Sequence, residues 1–290
     1  MNIKQKGIIY TVIATIIFGI TPAIGKLTYD MGNNGIQLAF LRHLFVLPLF
    51  FLIVIRQNLS FHLTKQQFID VMKVGLGNAL TIVLLYCSYS YIGVGSATVL
   101  HFLYPLFVCI FNFIFYHQLL TKQQILCLCL AIVGVLCFID QSSSSFIGFL
   151  LAIVSGVFFA YYMIGMDHTS IRELSPYVFN FYLVFLNVVA IGILSLLTHS
   201  FCIMPIKSYS LILIVAVLTS MVAVVLLQRG IYCLGASLTA ILSTLEPITS
   251  IIVGVLFLNE TMSFFKLIGC VLVLISTVIL VKNQNKSSCI

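Results

Sequence analysis

The stretch from Gly235 to Leu258, GASLTAILSTLEPITSIIVGVLFL, decides the fold class, because its 24 residues contain a single ionisable side chain, Glu246. A helix rises about 1.5 Å per residue, so a run of this length can cross the roughly 30 Å hydrocarbon layer of a bilayer. A strand of a membrane barrel would alternate polar and apolar residues, and this run does not. We therefore predict a transmembrane helix here.

Further apolar runs fill most of the chain, which is 61% hydrophobic and only 7% charged. An ordinary soluble domain carries about 25% charged residues, so a water-soluble surface cannot be built from this composition. We predict an all-α integral membrane protein with ten transmembrane helices. The predicted spans lie near residues 7–26, 37–55, 71–91, 95–116, 125–139, 146–166, 176–198, 209–227, 235–258 and 264–281. The first run also fits a cleaved signal peptide; its counterpart in the second half of the chain favours a retained helix.

The basic residues predict the orientation of the helices. With the N-terminus in the cytoplasm, ten Lys and Arg residues lie on the inner side, and only Lys26, Lys207 and Lys266 lie on the outer side. This is the positive-inside bias. We therefore predict a multi-pass protein of the cytoplasmic (plasma) membrane with both termini in the cytoplasm, and the net charge of +7 does not indicate a nucleic-acid partner.

The two halves of the chain resemble each other. The polar segment 140–145 separates residues 7–140 from residues 146–281, and Gly93 and Pro105 recur as Gly235 and Pro247 at one offset of 142 residues. Five spans is an odd number, so the second copy enters the membrane from the opposite side. Such inverted repeats are typical of secondary transporters, whose substrate site lies near the midplane. A duplication kept only for stability is the alternative.

The ninth predicted span carries a polar stripe. Thr239, Ser243, Glu246 and Ser250 recur at i, i+4, i+7 and i+11, which predicts one helical face that points at protein or water. An ionisable group in the middle of a span is a functional candidate by default. The alternative is a Glu246 that is protonated, or paired with a basic residue, for packing alone.

The fourth predicted span carries the counterpart positions, because His101 matches Ser243 and Tyr104 matches Glu246 at the repeat offset. Asn112 falls on the same predicted face as His101. An imidazole titrates near neutral pH and would suit proton exchange, although a buried histidine can also be a hydrogen-bonded structural residue. Pro105 and Pro247 each remove a backbone donor, so we expect bends near the middle of both helices.

Arg42 and His43 lie about one turn inside the second span. Arg42 can extend to the outer interface, pair with Glu246 or meet an anionic group of a substrate. Asn78 and Asn187 are expected to form hydrogen bonds between helices, and Gly19-x-x-x-Ala23 and Gly156-x-x-x-Ala160 to allow close helix contact within the monomer. The candidate substrate-binding or coupling residues are Glu246, His101, Tyr104, Arg42, His43, Ser243, Thr239, Asn112, Asn78 and Asn187.

No metal site or cofactor is predicted, because most of the nine cysteines lie inside apolar runs, where they act as small hydrophobic residues. The chain contains no H-E-x-x-H, no G-x-S-x-G and no Walker A sequence, which argues against a membrane-embedded enzyme or an internal ATP motor.

The whole chain, over residues 7–281, resembles a two-copy EamA-type permease of the drug/metabolite transporter superfamily. The resemblance rests on Phe18-Gly19 with Lys26, on Phe40-Leu41-Arg42, on Leu245-Glu246-Pro247 and on Leu258-Asn259-Glu260. Two features depart from the family pattern: the aromatic residue of the first helix is Phe18 rather than the frequent Trp, and His117-Gln118 stands where the second half has Asn259-Glu260.

The resemblance implies a transporter of small metabolites. We predict a secondary active transporter that moves small amino-acid-like or aromatic metabolites by alternating access, in the export direction, with protons as the candidate coupling ion. Its partners are then the small-molecule substrate and the lipid bilayer, and the sequence leaves the oligomeric state open. A passive channel or a structural membrane partner is the alternative.

Overall fold

The computed structural model describes residues 2–89, 91–92, 94–137, 145–258 and 263–286. Its α-helices are α1 (Ile3–Tyr29), α2 (Gly35–Arg56), α3 (Lys65–Ser88), α4 (Val94–His101), α5 (Tyr104–Tyr116), α6 (Lys122–Leu136), α7 (Phe146–His168), α8 (Pro176–Leu197), α9 (Ile206–Val215), α10 (Val224–Leu234), α11 (Ala236–Ser243), α12 (Leu245–Leu258) and α13 (Phe264–Lys286). A 3₁₀ turn (Ser170–Glu173) follows α7, and a π-helical segment (Ala216–Ala223) joins α9 to α10.

The predicted all-α membrane fold is confirmed, since the described residues form helices and no strands. Within the part of the chain that the structure describes, eight helical segments are long and apolar enough to cross a membrane; they include 97–116, 206–234 and 236–257, which each combine consecutive helices. Two shorter apolar helices, Lys122–Leu136 and Leu267–Ile279, lie at the fifth and tenth predicted spans. The count of ten spans stays a prediction.

Successive spans run in opposite directions through the bundle. For example, α7 ends beside the start of α11, where Asp167 meets Ala236, and α1 ends beside the start of α2, where Gly25 meets Leu38. We call the end where α1 begins the inner end and the opposite end the outer end. These labels follow the predicted orientation, which stays a prediction.

Corresponding helices in the two halves of the chain make corresponding contacts. Helix α1 packs against α10 and α12, and α7 packs against the corresponding helices of the other half, α3 and α5. The corresponding helices α2 and α8 pack against each other, as do α6 and α13. This pattern is what a two-fold relation between the halves would produce.

Close helix contacts within the monomer, predicted at the small residues, are confirmed. A Cβ atom added to Gly19 of α1 would lie 2.5 Å from Thr249 Cβ and 2.8 Å from the Glu246 carbonyl oxygen. A Cβ added to Gly156 of α7 would lie 2.9 Å from the His101 carbonyl oxygen. Both glycines therefore let a long helix approach the backbone of an interrupted one.

Polar side chains also join the helices in pairs. The amide of Asn180 on α8 exchanges two hydrogen bonds with Gln228 on α10, at 2.7 and 2.9 Å. The Asn187 amide donates to Asn78 Oδ1 at 2.9 Å and links α8 to α3, as expected for interhelical hydrogen bonds. The hydroxyl of Tyr182 on α8 donates to the Phe61 carbonyl oxygen.

Several sequence features lie outside the described residues. These are most of the polar segment between the halves (138–144), the Asn259-Glu260 pair and the side chain of Lys26.

Candidate functional site

Two interrupted helices meet near the middle of the bundle. In the first half, α4 ends at His101 and α5 begins at Tyr104, with Pro105 in its first turn. In the second half, α11 ends at Ser243 and α12 begins at Leu245. Proline lacks the N–H that would continue the ladder, and the helices are interrupted close to Pro105 and Pro247, at residues 102 and 103 in the first half and at Thr244 in the second.

The interruptions bear on two sequence predictions. Thr239 and Ser243 lie in α11, whereas Glu246 and Ser250 lie in α12, and Ser243 and Glu246 both lie near Tyr104. The Ser250 hydroxyl donates to the Gly19 carbonyl oxygen of α1 at 2.9 Å. Asn112 lies in α5, whereas His101 lies in α4, since residues 102 and 103 interrupt that helix.

Glu246 lies in the first turn of α12 and is half-buried. The first amides of a helix lack carbonyl partners, so this position favours a negative charge. Arg42 of α2, Tyr104 of α5 and Tyr89 at the end of α3 all lie within electrostatic reach of its carboxyl group. The site is therefore assembled from both halves of the chain.

Arg42 is half-buried in α2, and its Nε atom is buried without a hydrogen-bond partner among the described residues. Tyr29 and Tyr89 lie within its electrostatic reach. In the described part of the chain, Arg42 and Glu246 do not form a direct ion pair. The Arg42 and Glu246 side chains come from different helices and leave a gap between them, which a molecule that carries both a carboxylate and an ammonium group could bridge.

Tyrosine side chains form one wall of this space. The rings of Tyr86 and Tyr89 make an edge contact with centroids 5.2 Å apart. Gly35 at the start of α2 lies against the rings of Tyr29 and Tyr86, where a Cβ atom would come within 2.9 Å of Tyr86 Cε1. None of these three tyrosines is among the candidates selected from the sequence, where Tyr86 and Tyr89 are residues expected to form hydrogen bonds between helices.

Tyr104 connects the two breaks. Its side chain lies near that of Ser243, whose hydroxyl donates to the Thr239 carbonyl oxygen at 2.9 Å. The Tyr104 ring makes an edge contact with Phe159 of α7, with centroids 4.7 Å apart. The Tyr104 side chain thus packs on α7 and lies close to α11 beside Glu246.

His101 is buried at the end of α4, with Nδ1 2.9 Å from Ser155 Oγ. The Ser155 hydroxyl donates its own proton to the Ala152 carbonyl oxygen, so Nδ1–H of His101 is the donor in this contact. Rings of Tyr104 and Phe159 pack against the imidazole. The structure therefore gives His101 a positioning contact at the break.

The remaining candidates lie at different distances from this centre. His43 is buried beside Arg42 and its Nδ1 bonds the Ala39 carbonyl oxygen at 2.7 Å. Thr239 is fully buried, and its hydroxyl oxygen has no partner among the described residues. Asn78 and Asn187 pair with each other between α3 and α8. Asn112 lies at the inner end, bonded to Ser237 and His168.

The burial of the side chains differs on the two sides of Glu246. Towards the outer end, Arg42, Tyr86 and Tyr89 are half-buried and Tyr29 is 38% exposed. Towards the inner end, Thr239, Ala236, Val108 and Asn112 are buried. The four residues named on the inner side are therefore closely packed, whereas the four named on the outer side keep part of their surface exposed.

Comparison with known proteins identifies the family. The profile of the EamA-like transporter family matches residues 5–139 and again residues 146–282. The chain belongs to the EamA-like transporter family.

Individual relatives agree with this assignment. The chain is 24% identical to the uncharacterized transporter sll1319 of Synechocystis sp. over 99% of this chain and 96% of that protein. It is 38% identical to the uncharacterized transporter YcbK of Bacillus subtilis over 23% of this chain and 21% of that protein. A protein of known crystal structure has the same fold, with a TM-score of 0.77 over 95% of this chain and 96% of that one, at 14% identity. The chain is a multi-pass membrane transporter of this family.

Proposed function

We propose that the protein is a secondary carrier that exports small amino-acid-like or aromatic metabolites across the plasma membrane by alternating access at the Glu246 site. The observation that carries the proposal is the pair of opposite charges, Arg42 and Glu246, held apart where two interrupted helices meet. Interrupted helices from two repeats build the substrate site in many secondary transporters.

The chemistry of the site selects the class of substrate. The guanidinium of Arg42 can bind a carboxylate through two parallel hydrogen bonds, and the carboxylate of Glu246 can accept from an ammonium group. The rings of Tyr29, Tyr86 and Tyr89 offer flat faces to an apolar or aromatic side chain. A zwitterionic amino acid presents all three features at once.

Glu246 is also the proposed coupling residue. A carboxyl group can be neutral in one state of the carrier and charged in another, and the loss of its charge would weaken its attraction to both Arg42 and a substrate ammonium group. Proton movement would then accompany substrate movement. We propose that residues 7–140 and 146–281 act as inverted repeats that exchange conformations during this cycle.

The first experiment identifies a substrate and tests Glu246 with it. Purified protein is screened by thermal shift against amino acids, nucleosides and other metabolites, and each hit is assayed for flux in proteoliposomes with an internal pH indicator. We expect the wild type to show saturable flux with proton movement. Glu246→Gln should lose at least about nine-tenths of the flux, because a contact with a charged group contributes roughly 1.5–3 kcal/mol.

Glu173→Gln is the matched control, because Glu173 is an exposed carboxylate in the 3₁₀ turn, outside the site. The control should transport like the wild type. Unchanged flux and unchanged proton movement in Glu246→Gln would remove Glu246 from the mechanism. Flux that rises linearly with concentration, without saturation, would favour the passive channel.

The predicted membrane and orientation are part of the proposal. Ten basic residues on the predicted inner side, against three on the outer side, support cytoplasmic termini. Tags at both termini should be digested by an added protease in inside-out vesicles and protected in intact cells. The opposite pattern would reverse the direction that we assign to transport.

A further inference from the structure

A polar cluster closes the inner end of the bundle. Its members are Asn112 of α5, Asp167 and His168 at the end of α7, Arg172 of the 3₁₀ turn and Ser237 of α11; we call these five residues the inner-end network. None of the five touches the central site, and only Asn112 was selected from the sequence. Together they join the first half of the chain to α7 and α11 of the second half.

Asp167 holds the start of α11. Its Oδ2 accepts a hydrogen bond from the Ala236 amide at 2.8 Å, and the residue is only 6% exposed. Gly235, just before α11, has a φ of +82°, and a Cβ atom there would lie 3.3 Å from Asp167 Oδ2. The glycine thus adopts a backbone conformation that other residues disfavour and lets the carboxylate approach the helix start.

Asn112 and His168 extend the cluster across the bundle. The Asn112 amide donates to Ser237 Oγ at 2.7 Å and its oxygen lies 3.1 Å from His168 Nε2. The His168 ring stacks on Tyr116 of α5, with centroids 3.7 Å apart. Helices α5, α7 and α11 are therefore tied together at one level.

Arg172 covers the cluster from the inner surface. Its guanidinium lies 3.7 Å from Asp167 Oδ1, donates to the Tyr232 carbonyl oxygen at 3.4 Å and lies over the Tyr232 ring. Between this cluster and Glu246 the bundle is filled by buried side chains such as Thr239 and Val108. These contacts lie between the Glu246 site and the inner surface of the bundle.

We propose that the inner-end network is the inner gate of the carrier, which separates when the central site opens to the inner side. The inference rests on the proposed function. A polar closure suits a gate, because its hydrogen-bonding groups exchange their partners for water on opening. An apolar closure of the same size would expose apolar surface to water.

A neighbouring contact at the same end has a different role. Asp70 of α3 accepts from the Ser170 hydroxyl and amide and from Gln66, and so it fixes the 3₁₀ turn onto α3. Helices α3 and α7 are in close contact beside it, as the approach of Gly165 to Val74 shows. Asp70 therefore anchors on α3 the turn that carries Arg172.

Cys109 provides a native reporter for the test. It is 3% exposed, lies one turn before Asn112 on α5, and its thiol contacts Ser237. In a variant that retains Cys109 as its sole cysteine, we measure the rate at which a membrane-impermeant maleimide labels it from the inner side. Asp167→Asn and Ser237→Ala should each raise this rate about tenfold, the factor that corresponds to the loss of one strong hydrogen bond.

Arg56→Gln is the control, because Arg56 is an exposed residue at the inner end of α2 and outside the network, and it should leave the Cys109 labelling rate at the parent value. Thermal melting of each variant establishes that it is folded, and Ser237→Ala, which removes one hydroxyl, supports the test if Asp167→Asn does not fold. If both gate variants fold and Cys109 is labelled at the parent rate in each, the proposal that the inner-end network is a gate is overturned. An equal increase in Arg56→Gln would do so as well, because the labelling rate would then not depend on the network.

The labelling experiment is independent of transport. If the parent shows saturable flux but the gate variants leave Cys109 protected, the gate is wrong and the carrier stands. If the parent shows no flux with any hit, the proposed function fails whatever the labelling rates are. Added substrate should raise Cys109 labelling in the parent, because it promotes the opening of the inner end.

Discussion

At the scale of single residues, the proposed function depends on Arg42 and Glu246. An ionisable side chain inside a membrane is costly. Two such side chains that are not paired with each other therefore indicate a functional role. A buried guanidinium nitrogen without a partner among the described residues is costly unless a ligand or water satisfies it. Binding of a substrate carboxylate would supply that partner.

Arg42→Gln tests this role. The substitution keeps a hydrogen-bonding amide but removes the charge, so we expect the KM of the identified substrate to rise about tenfold or more, since a contact with a charged group contributes roughly 1.5–3 kcal/mol. The measurement is initial flux against substrate concentration in proteoliposomes.

Arg56→Gln is the control for this prediction, since Arg56 is an exposed arginine at the inner end of the same helix. It should leave KM at the wild-type value. A normal KM in Arg42→Gln would mean that Arg42 does not contact the substrate, and a purely structural Arg42 would instead lower the melting temperature.

The sequence alone was sufficient to select Glu246 and Arg42, because an ionisable side chain inside an apolar run is conspicuous. It was not sufficient for Asp167 and His168, because charged residues are common at the ends of spans. Their partners come from distant parts of the chain: Asp167 meets Ala236, and His168 meets Asn112. Such pairs depend on how the helices pack, and a single sequence does not reveal that packing.

At the scale of the elements, the interrupted helices decide the geometry. Pro105 and Pro247 predicted bends near the middle of the fourth and ninth spans, and the repeat predicted that the two bends correspond. The residues at which the helices stop were not predictable, because the break also depends on Tyr104 packing on Phe159 and on α1 lying against α12. The π-helical segment Ala216–Ala223 had no sequence signal either.

Gly19→Ala tests the contact between α1 and the broken ninth span. The new methyl group would lie 2.5 Å from Thr249 Cβ and 2.8 Å from the Glu246 carbonyl oxygen, so α1 or α12 must move. We expect a destabilisation of about 1–3 kcal/mol, seen as a lower melting temperature, together with reduced flux.

Gly25→Ala on the same helix is the control. Its added methyl group would meet only the flexible end of Leu38, at 3.1 Å. We expect nearly normal stability and flux, because a leucine side chain can shift where a backbone cannot. Equal losses in both variants would show that α1 tolerates no added volume anywhere, and the specific role of the Gly19 contact would be lost.

At the scale of the whole molecule, the repeated packing and the unequal burial belong together. Helices α1 and α7 occupy corresponding places, yet Arg42, Tyr86 and Tyr89 near the outer end are half-buried, whereas Thr239, Val108 and Asn112 towards the inner end are buried. Two halves of similar fold in different arrangements can exchange those arrangements, which opens the other side of the site. The fold class was predictable from composition and the repeat, whereas the difference in side-chain burial between the outer and inner ends was not.

Counterflow in proteoliposomes tests alternating access at one site most directly. Vesicles that contain the wild-type protein are loaded with the unlabelled substrate, diluted into a trace of labelled substrate, and followed over time. The account predicts a transient, saturable accumulation of label above its equilibrium level, because each return of the carrier brings a labelled molecule inward. Entry of label that only approaches equilibrium, at a rate independent of the unlabelled load, would contradict it.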